Sequence, residues 1–131
     1  ELLQWMVAAV FSSATADTIS SELGNVYGKR FYNILTFKKD GKGLDGVVSS
    51  EGTFAGLAGS LMIATVFSMC SGWNAAAFIT IIIAGTVGNI SDSILGAALE
   101  RKGQLKNNSV NFLNTVIAAI TAALLYVVFK S

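Results

Sequence analysis

The sequence predicts an all-α, polytopic integral membrane protein with four transmembrane helices, in a single domain over residues 1–131. Hydrophobic residues make up 53% of the chain and charged residues only 13%, whereas soluble domains carry about 25% charged residues. No proline occurs in the chain, which suits long, uninterrupted helices. Four apolar segments are close to the roughly 20 residues that a helix needs to cross a bilayer.

The four helices are predicted at residues 2–23, 53–71, 75–99 and 110–129. The first is the least apolar, because its second half is rich in Ser and Thr. A tight turn around Gly72 and Trp73 joins the second and third helices, whereas residues 25–52 and 100–109 form polar loops. Small residues recur at intervals of three or four along the first three helices, and such stripes let helix backbones approach closely in lipid. These residues are Ala8, Ser12, Ala16, Ser20, Gly24, Gly52, Gly56, Ser60, Gly85 and Gly88.

The distribution of charge predicts the orientation of the helices. Eight of the nine basic residues fall in the two polar loops, and both loops follow an odd-numbered helix. By the positive-inside rule, loops 25–52 and 100–109 are cytoplasmic. Trp5 and Trp73 then fall at the opposite interface, where aromatic belts lie. A net charge of +1 excludes the basic footprint of a nucleic-acid-binding protein.

The chain begins with Glu1 and is apolar at once. It has no basic n-region and no small-residue cleavage site, so this segment is not a signal peptide. We expect the chain to be the C-terminal part of a longer membrane protein. The missing N-terminal helices, or a second copy of the chain, would then be its partners in the membrane.

Three acids lie within the predicted helices, where carboxylates are costly and usually functional. Asp17 and Glu22 lie in the second half of the first helix, and Asp92 lies in the second half of the third. Asn89 and Ser93 share a helix face with Asp92. Glu22 points roughly 140° away from Asp17 on an ideal helix. It reaches the same site only if the helix end unwinds or if the site surrounds it.

Three acids at one depth on one side of the membrane predict a metal site formed by Asp17, Glu22 and Asp92. The chain has no histidine and one cysteine, and oxygen ligands alone favour Mg²⁺ or Mn²⁺ over zinc. In the alternative interpretation, the two aspartates only hydrogen-bond to neighbouring helices and Glu22 is a solvated residue at a helix end.

A basic and then glycine-rich loop, "KKDGKGLDGVVSSEGTFAGLAGS", leads directly into the second helix. Helix N-termini favour phosphate groups, although a turn followed by an N-cap serine gives the same pattern. The Walker pattern is absent. The segment "LKNNSVNFLN" supplies a second amide-rich helix N-terminus on the same side. The predicted nucleotide or phosphate ligands are Lys38, Lys39, Gly46, Ser49, Gly52, Thr53, Asn89, Ser93, Asn108 and Asn111.

Acids, lysines and a phosphate site at a membrane surface indicate Mg-dependent phosphoryl transfer. The acids would hold the metal on the phosphates, and the lysines would neutralise the charge that develops during transfer. A lipid acceptor would explain why the site lies in a membrane.

Four blocks of the sequence resemble the signature blocks of the integral-membrane phytyl-phosphate kinase family. They are "ADTISSELG", "DGVVSSEGTFAGLAGS", "GNISDSILGAALE" and "NNSVNFLNT". This family includes the transmembrane-protein-19-like proteins and was long catalogued as a domain of unknown function. The order and spacing of the blocks match, and the resemblance covers nearly all of the chain.

The resemblance implies a kinase that uses CTP or another NTP and converts a polyprenyl monophosphate, such as phytyl phosphate, into the diphosphate. It also implies roles for particular residues. The acid-containing motifs fall on Asp17, Glu22 and Asp92, and the glycine-loop motif falls on Gly46, Ser49, Gly52 and Thr53.

Three other functions remain open at this level. A small-solute or ion transporter would spread ionisable residues through the depth of the bilayer, whereas here the other halves of the second, third and fourth helices carry none. A noncatalytic membrane protein would use its polar residues only to bind helices together. A cytidylyltransferase acting on a lipid phosphate would use the same metal and nucleotide as a kinase.

Overall fold

A computed structural model describes all 131 residues as four long helices joined by two loops and one tight turn. The helices are α1 (Leu2–Tyr27), α2 (Ser50–Ser71), α3 (Ala75–Leu95) and α4 (Asn107–Lys130). A π-helical turn, Gly96–Glu100, continues α3, and two-residue strands β1 (Tyr32–Asn33) and β2 (Val47–Val48) pair antiparallel within the first loop. The all-α prediction is confirmed, and the short hairpin was not predicted.

The prediction of four membrane-spanning helices is confirmed for three of them. The helices α2, α3 with its π-helical turn, and α4 are long and apolar enough to cross a membrane. Helix α1 is long enough but is not among them, because its second half carries two acids and several hydroxyl side chains. It packs against all three other helices, and its passage through the bilayer stays a prediction.

Two helices begin three residues earlier than predicted, and polar first turns explain the difference. Helix α2 begins after Ser49, whose Oγ accepts a hydrogen bond from the backbone N–H of Gly52 at 3.1 Å. Helix α4 begins at Asn107, within a run of polar residues. The first turn of a helix has free backbone N–H groups, so polar residues are favoured there even when the rest of the helix is apolar.

Small residues allow the helices to approach closely, as the stripes predicted. A Cβ added at Gly88 would overlap the hydroxyl of Ser13, and one added at Gly85 would overlap the hydroxyl of Ser12. These contacts hold α1 against α3. A Cβ added at Gly52 would lie 2.7 Å from the backbone carbonyl oxygen of Ser20 on α1, so α2 is held equally close.

The large apolar side chains lie on the outside of the bundle. Only 27 of the 131 residues are buried, and most of these are Ala, Gly, Ser and Thr. Phe54 and Met69 are 72% and 81% exposed, respectively. A small-residue interior with an apolar exterior is the arrangement expected of a bundle surrounded by lipid.

Both basic loops lie at the same end of the bundle, which we call the loop end. Arg101 Nη1 donates a hydrogen bond to Asp40 Oδ2 at 2.7 Å, and this ion pair links the two loops. The assignment of the loop end to the cytoplasm stays a prediction. At the opposite end, Trp73 is 72% exposed, but Trp5 is 1% exposed and packs edge-on against Tyr126 with the ring centroids 4.9 Å apart. Trp5 therefore belongs to the core and not to an interfacial belt.

The shared position of the two loops predicts the pattern of chemical labelling. In a Cys70→Ser background, Lys42→Cys and Gln104→Cys will react with a membrane-impermeant maleimide from one side of sealed vesicles. Trp73→Cys will react from the other side only. Labelling of positions 42 and 104 from opposite sides would contradict the helix arrangement.

The close approach at Gly52 predicts the effect of a larger side chain. Gly52→Val will destabilise the bundle by about 1–3 kcal/mol, because the new side chain must displace the α1 backbone. The matched control is Ala58→Val, which places the same side chain on the exposed face of α2. Thermal unfolding in detergent will show a lower Tm for Gly52→Val alone. Equal Tm values for the two variants would show that this contact has no structural importance.

Candidate metal and nucleotide site

A polar cavity of about 320 Å³ lies at the loop end of the bundle. Helices α1 and α3, the start of α4 and residues 43–49 of the first loop enclose it. Of its 22 lining residues, five are acids and none is a lysine or an arginine. The five acids are Asp17, Glu22, Asp45, Asp92 and Glu100. We call this space the acidic cavity, and its negative charge favours the binding of cations.

Asp17 of α1 and Asp92 of α3 form an acidic pair in the cavity. Their carboxyl groups are close enough to interact electrostatically, and both residues are partly buried. Two ionised carboxyl groups this close repel each other in a partly desolvated site. A divalent cation shared by the two groups would remove that repulsion.

The third predicted metal ligand does not join this pair. No group of three or more acid, cysteine or histidine side chains is gathered closely enough to hold one metal ion. Glu22 lines the cavity but is exposed, in agreement with its separation from Asp17 around the helix. The structure thus does not bring the three acids together as one group, and the metal-binding role of Glu22 stays a prediction.

The donor chemistry of the pair fits Mg²⁺ or Mn²⁺. Mg²⁺ is usually bound by one or two carboxylates, with water and substrate phosphates as its remaining ligands, and seldom by a closed protein cage. Asp17 and Asp92 supply two carboxylates, and no nitrogen or sulfur ligand lines the cavity apart from amide groups. Bound phosphate oxygens would complete the coordination.

Asp92 is connected by hydrogen bonds to two residues that were not predicted as site residues. Asn114 Nδ2 donates a hydrogen bond to Asp92 Oδ1 at 2.8 Å, and Ser13 Oγ donates to Asn114 Oδ1 at 3.2 Å. Ser13 and Asn114 are 0% and 1% exposed, respectively. A chain of hydrogen bonds therefore runs from α1 through α4 to the carboxyl group on α3.

The face of α3 that carries Asp92 also contributes the predicted residues Asn89 and Ser93 to the cavity, together with Gly96. Asn89 is 8% exposed and lies against α2. The close contact is shown by Gly56, where an added Cβ would be 2.5 Å from Asn89 Nδ2. The same three- and four-residue spacing continues to Glu100. The acid at position 100 was therefore available from the sequence pattern, although it was not predicted.

The first loop lies over the cavity. It is held there by the backbone conformation of Gly46 and by the ion pair between Asp40 and Arg101. Gly46 has a φ of 71° and packs so closely on Ala97 that a Cβ would overlap it. Gly46 and Ser49, two of the predicted phosphate ligands, both line the cavity. Asp45 is brought into the cavity by this turn and has no periodic signal in the sequence.

The pKa of Asp40 is lowered, first by the hydrogen bond from Arg101 and then by the backbone N–H of Gly41. Because the folded-state pKa is depressed, the ion pair stabilises the loop at pH values above the ordinary pKa of 3.8. This stabilisation is lost as the pH falls through the lower, folded-state pKa.

Five predicted ligands do not line the cavity: Lys38, Lys39, Gly52, Thr53 and Asn108. The two lysines lie in the unpredicted hairpin, where the Lys38 carbonyl accepts a hydrogen bond from the Asn33 N–H. Gly52 and Thr53 form the capped first turn of α2, with Thr53 Oγ1 donating to the Ser49 carbonyl oxygen at 2.9 Å. The N-cap interpretation of this segment is therefore the observed one, and a ligand role for these five residues is not supported by their positions.

The other helix N-terminus at the loop end is better placed for a phosphate group. Helix α4 has no side-chain hydrogen bond at its N-cap, Lys106. Asn107 and Asn111, four residues apart on one face, both line the cavity. The prediction of Asn111 agrees with this position, and the helical register places Asn107 there instead of Asn108. Free N–H groups at such an end favour phosphate.

Comparison with known proteins identifies relatives over almost the whole chain. An uncharacterized membrane protein of Methanocaldococcus jannaschii is 37% identical over 129 residues, which cover 93% of this chain and 52% of that protein. Protein VTE6, chloroplastic, of Arabidopsis thaliana is 35% identical over 118 residues, with coverages of 88% and 35%. An uncharacterized membrane protein of Synechocystis is 35% identical over 115 residues, with coverages of 87% and 45%.

The chain thus spans about half, or less, of the length of these curated relatives. No solved structure matches it significantly. The family described as integral membrane protein DUF92 matches residues 1–119, a range that contains every residue of the acidic cavity. The chain therefore belongs to the DUF92 family of integral membrane proteins, which confirms the family resemblance of its four sequence blocks.

Proposed function

We propose that the protein is a membrane-embedded kinase that transfers a phosphoryl group from CTP, or another NTP, to a polyprenyl monophosphate of the phytyl type. The observation that carries this proposal is the acidic cavity, with five acids and no basic side chain at one end of the bundle. A nucleotide is a polyanion, so it can enter such a cavity only together with cations such as Mg²⁺ or Mn²⁺. The similarity to Protein VTE6 and the family resemblance support a prenyl-phosphate kinase.

In phosphoryl transfer, the protein mainly positions the reactants and neutralises the charge of the phosphate groups. The bond between the terminal phosphorus and its bridging oxygen breaks, a new bond to an oxygen of the lipid phosphate forms, and the nucleoside diphosphate leaves. A phosphate monoester is already ionised near neutral pH, so this transfer needs no strong general base. The absence of histidine from the chain is therefore compatible with the reaction.

Residues on each wall of the cavity would take part in the proposed phosphoryl transfer. Asp17 and Asp92 would hold the metal, which when bound supplies the positive charge that neutralises the phosphates. Asn89 and Ser93 would donate hydrogen bonds to phosphate oxygens. The open N-terminus of α4 would receive a second phosphate group, and the loop around Gly46 would limit the access of water.

An apolar groove on α1 and α2 offers a place for the lipid chain. It has a volume of about 490 Å³ and is lined by seven apolar residues and one glutamine. On α1 the groove contains Leu3, Val7 and Phe11, and the same helix face continues to Thr18 and Glu22 at the cavity. One side of α1 therefore joins an apolar groove to a polar cavity, which matches an isoprenoid chain with a phosphate head group.

The same geometry favours an enzyme over a transporter. The acids that line the cavity are confined to the loop end, and the rest of the interior is filled by small side chains such as Ala9, Ala84 and Ala122, all 0% exposed. Trp5 closes the opposite end of the core. The next experiment distinguishes a kinase from a lipid-phosphate cytidylyltransferase and from a noncatalytic membrane protein.

The position of the transferred label will identify the reaction. The full-length protein, in detergent with Mg²⁺ and phytyl monophosphate, will transfer ³²P to the lipid from [γ-³²P]CTP and not from [α-³²P]CTP. Transfer from the α position would identify a cytidylyltransferase. A lack of lipid labelling from either nucleotide, with ATP and GTP also tested, would contradict the proposal.

Asp92→Asn will abolish this transfer, because it keeps the shape of the side chain but removes the charge that holds the metal. The metal-free variant will be at least as stable as the metal-free wild type, because one of two facing carboxylates is gone. Ser91→Ala is the control, since Ser91 Oγ donates only to the Val87 carbonyl oxygen on the same helix. Wild-type turnover of Asp92→Asn at saturating Mg²⁺ would rule out the metal role of Asp92.

Filling the apolar groove will separate lipid binding from nucleotide binding. Val7→Trp will raise the KM for phytyl monophosphate but leave the KM for CTP and the use of a five-carbon monophosphate unchanged. Val128→Trp is the control, because Val128 is exposed on α4 outside the groove. An equal effect of the two variants would assign the groove to ordinary membrane lipid.

A further inference from the structure

We propose that Ser13 and Asn114 are positioning residues that fix the metal-binding orientation of Asp92. The inference rests on the proposed function, since it names two further residues that serve the same site. Its basis is the hydrogen-bond chain from Ser13 Oγ to Asn114 Oδ1 and from Asn114 Nδ2 to Asp92 Oδ1. The three residues belong to three different helices.

The direction of this chain follows from donor and acceptor chemistry. An ionised carboxylate can only accept hydrogen bonds, so the amide NH₂ of Asn114 must face Asp92. The amide oxygen then faces Ser13, whose hydroxyl must donate. Asp92 Oδ1 is thereby occupied, and the rotation of the carboxyl group is fixed. Oδ2 remains the oxygen that is available to a cation in the cavity.

The pattern of buried residues indicates that these two polar side chains have a purpose beyond packing. Asn114, Ala118 and Ala122 follow one another at four-residue intervals on α4, and all three are at most 1% exposed. Ala9 and Ser13 have the same spacing on α1 and are both 0% exposed. On these two stripes, alanine occupies the positions further from the cavity, and a polar residue occupies the position that reaches Asp92 or its partner.

Close packing around Ser13 leaves its hydroxyl little freedom. A Cβ added at Gly88 would overlap Ser13 Oγ, so α3 holds this side chain from the other side. Buried polar groups are costly unless their hydrogen bonds are made. The chain satisfies the Ser13 hydroxyl and both ends of the Asn114 amide, and it transmits the position of α1 and α4 to the carboxyl group on α3.

Metal binding will test this inference independently of catalysis. The affinity of the full-length protein for Mn²⁺ alone will be measured by electron paramagnetic resonance in detergent. Asn114→Ala will weaken Mn²⁺ binding by about 10- to 100-fold, the usual loss when a partner of a metal ligand is removed. Ser13→Ala will weaken it by about three- to tenfold, the equivalent of one buried hydrogen bond. The double variant Ser13→Ala/Asn114→Ala will bind Mn²⁺ no more weakly than Asn114→Ala alone, because both residues act through one chain of hydrogen bonds.

Ser12→Ala is a closely matched control. Ser12 is also 0% exposed, and its hydroxyl donates to the backbone carbonyl oxygen of Ile81 on α3 at 3.1 Å. This variant removes one buried hydrogen bond that α1 makes to a neighbouring helix, as Ser13→Ala does, but without touching Asp92. Wild-type Mn²⁺ affinity is expected for Ser12→Ala. Equal losses in Ser12→Ala and Ser13→Ala would reduce the role of Ser13 to packing and overturn the inference.

The outcomes separate this inference from the proposed function. Wild-type protein that binds Mn²⁺, together with weakened binding in Ser13→Ala and Asn114→Ala, supports the inference even if no lipid diphosphate is formed. Unchanged Mn²⁺ affinity in both variants overturns it even if the kinase reaction is found. A wild-type protein that binds no Mn²⁺ also overturns it. If Asn114→Ala does not fold, Ser13→Ala decides the question, because it removes a single oxygen atom.

Discussion

The meeting of Asp17 of α1 and Asp92 of α3 in one cavity is the constraint around which this bundle is organised. Two acids on different helices repel each other, so they meet only where the rest of the structure holds the helices together. Small side chains supply that restraint. Gly88 brings α3 against Ser13 four residues before Asp17, and Gly56 brings α2 against Asn89 three residues before Asp92. The stripes of small residues therefore place the acids as well as pack the helices.

The surroundings of the pair explain why a metal-dependent reaction fits this site. The cavity has acids but no basic side chain, so cations rather than lysines would have to balance the charge of the proposed nucleotide. This differs from the expectation that Lys38 and Lys39 provide the countercharge. Those lysines lie in a hairpin outside the cavity lining. The hairpin and the Asp40–Arg101 ion pair hold the loop over the site, and the loop contributes Asp45 as a further acid.

The sequence was sufficient for the features that repeat along helices. Periodicity located the four helices, the small-residue contacts and the cavity positions Asp17, Asn89, Asp92 and Ser93. It was insufficient where the position of a residue depends on a turn or on a contact between helices. Gly46 and the hairpin determine where residues 38–49 lie, and no local pattern encodes that arrangement. Asn114 is recognisable only from the three-helix contact that joins it to Ser13 and Asp92.

Direct location of the metal would test the central claim. A crystal of the full-length protein grown with Mn²⁺ and a non-hydrolysable CTP analogue can be measured at a wavelength where manganese scatters anomalously. The account predicts an anomalous peak between the carboxyl groups of Asp17 and Asp92, with phosphate oxygens completing the coordination. A nucleotide bound through lysines or arginines, with no anomalous peak at this pair, would contradict it.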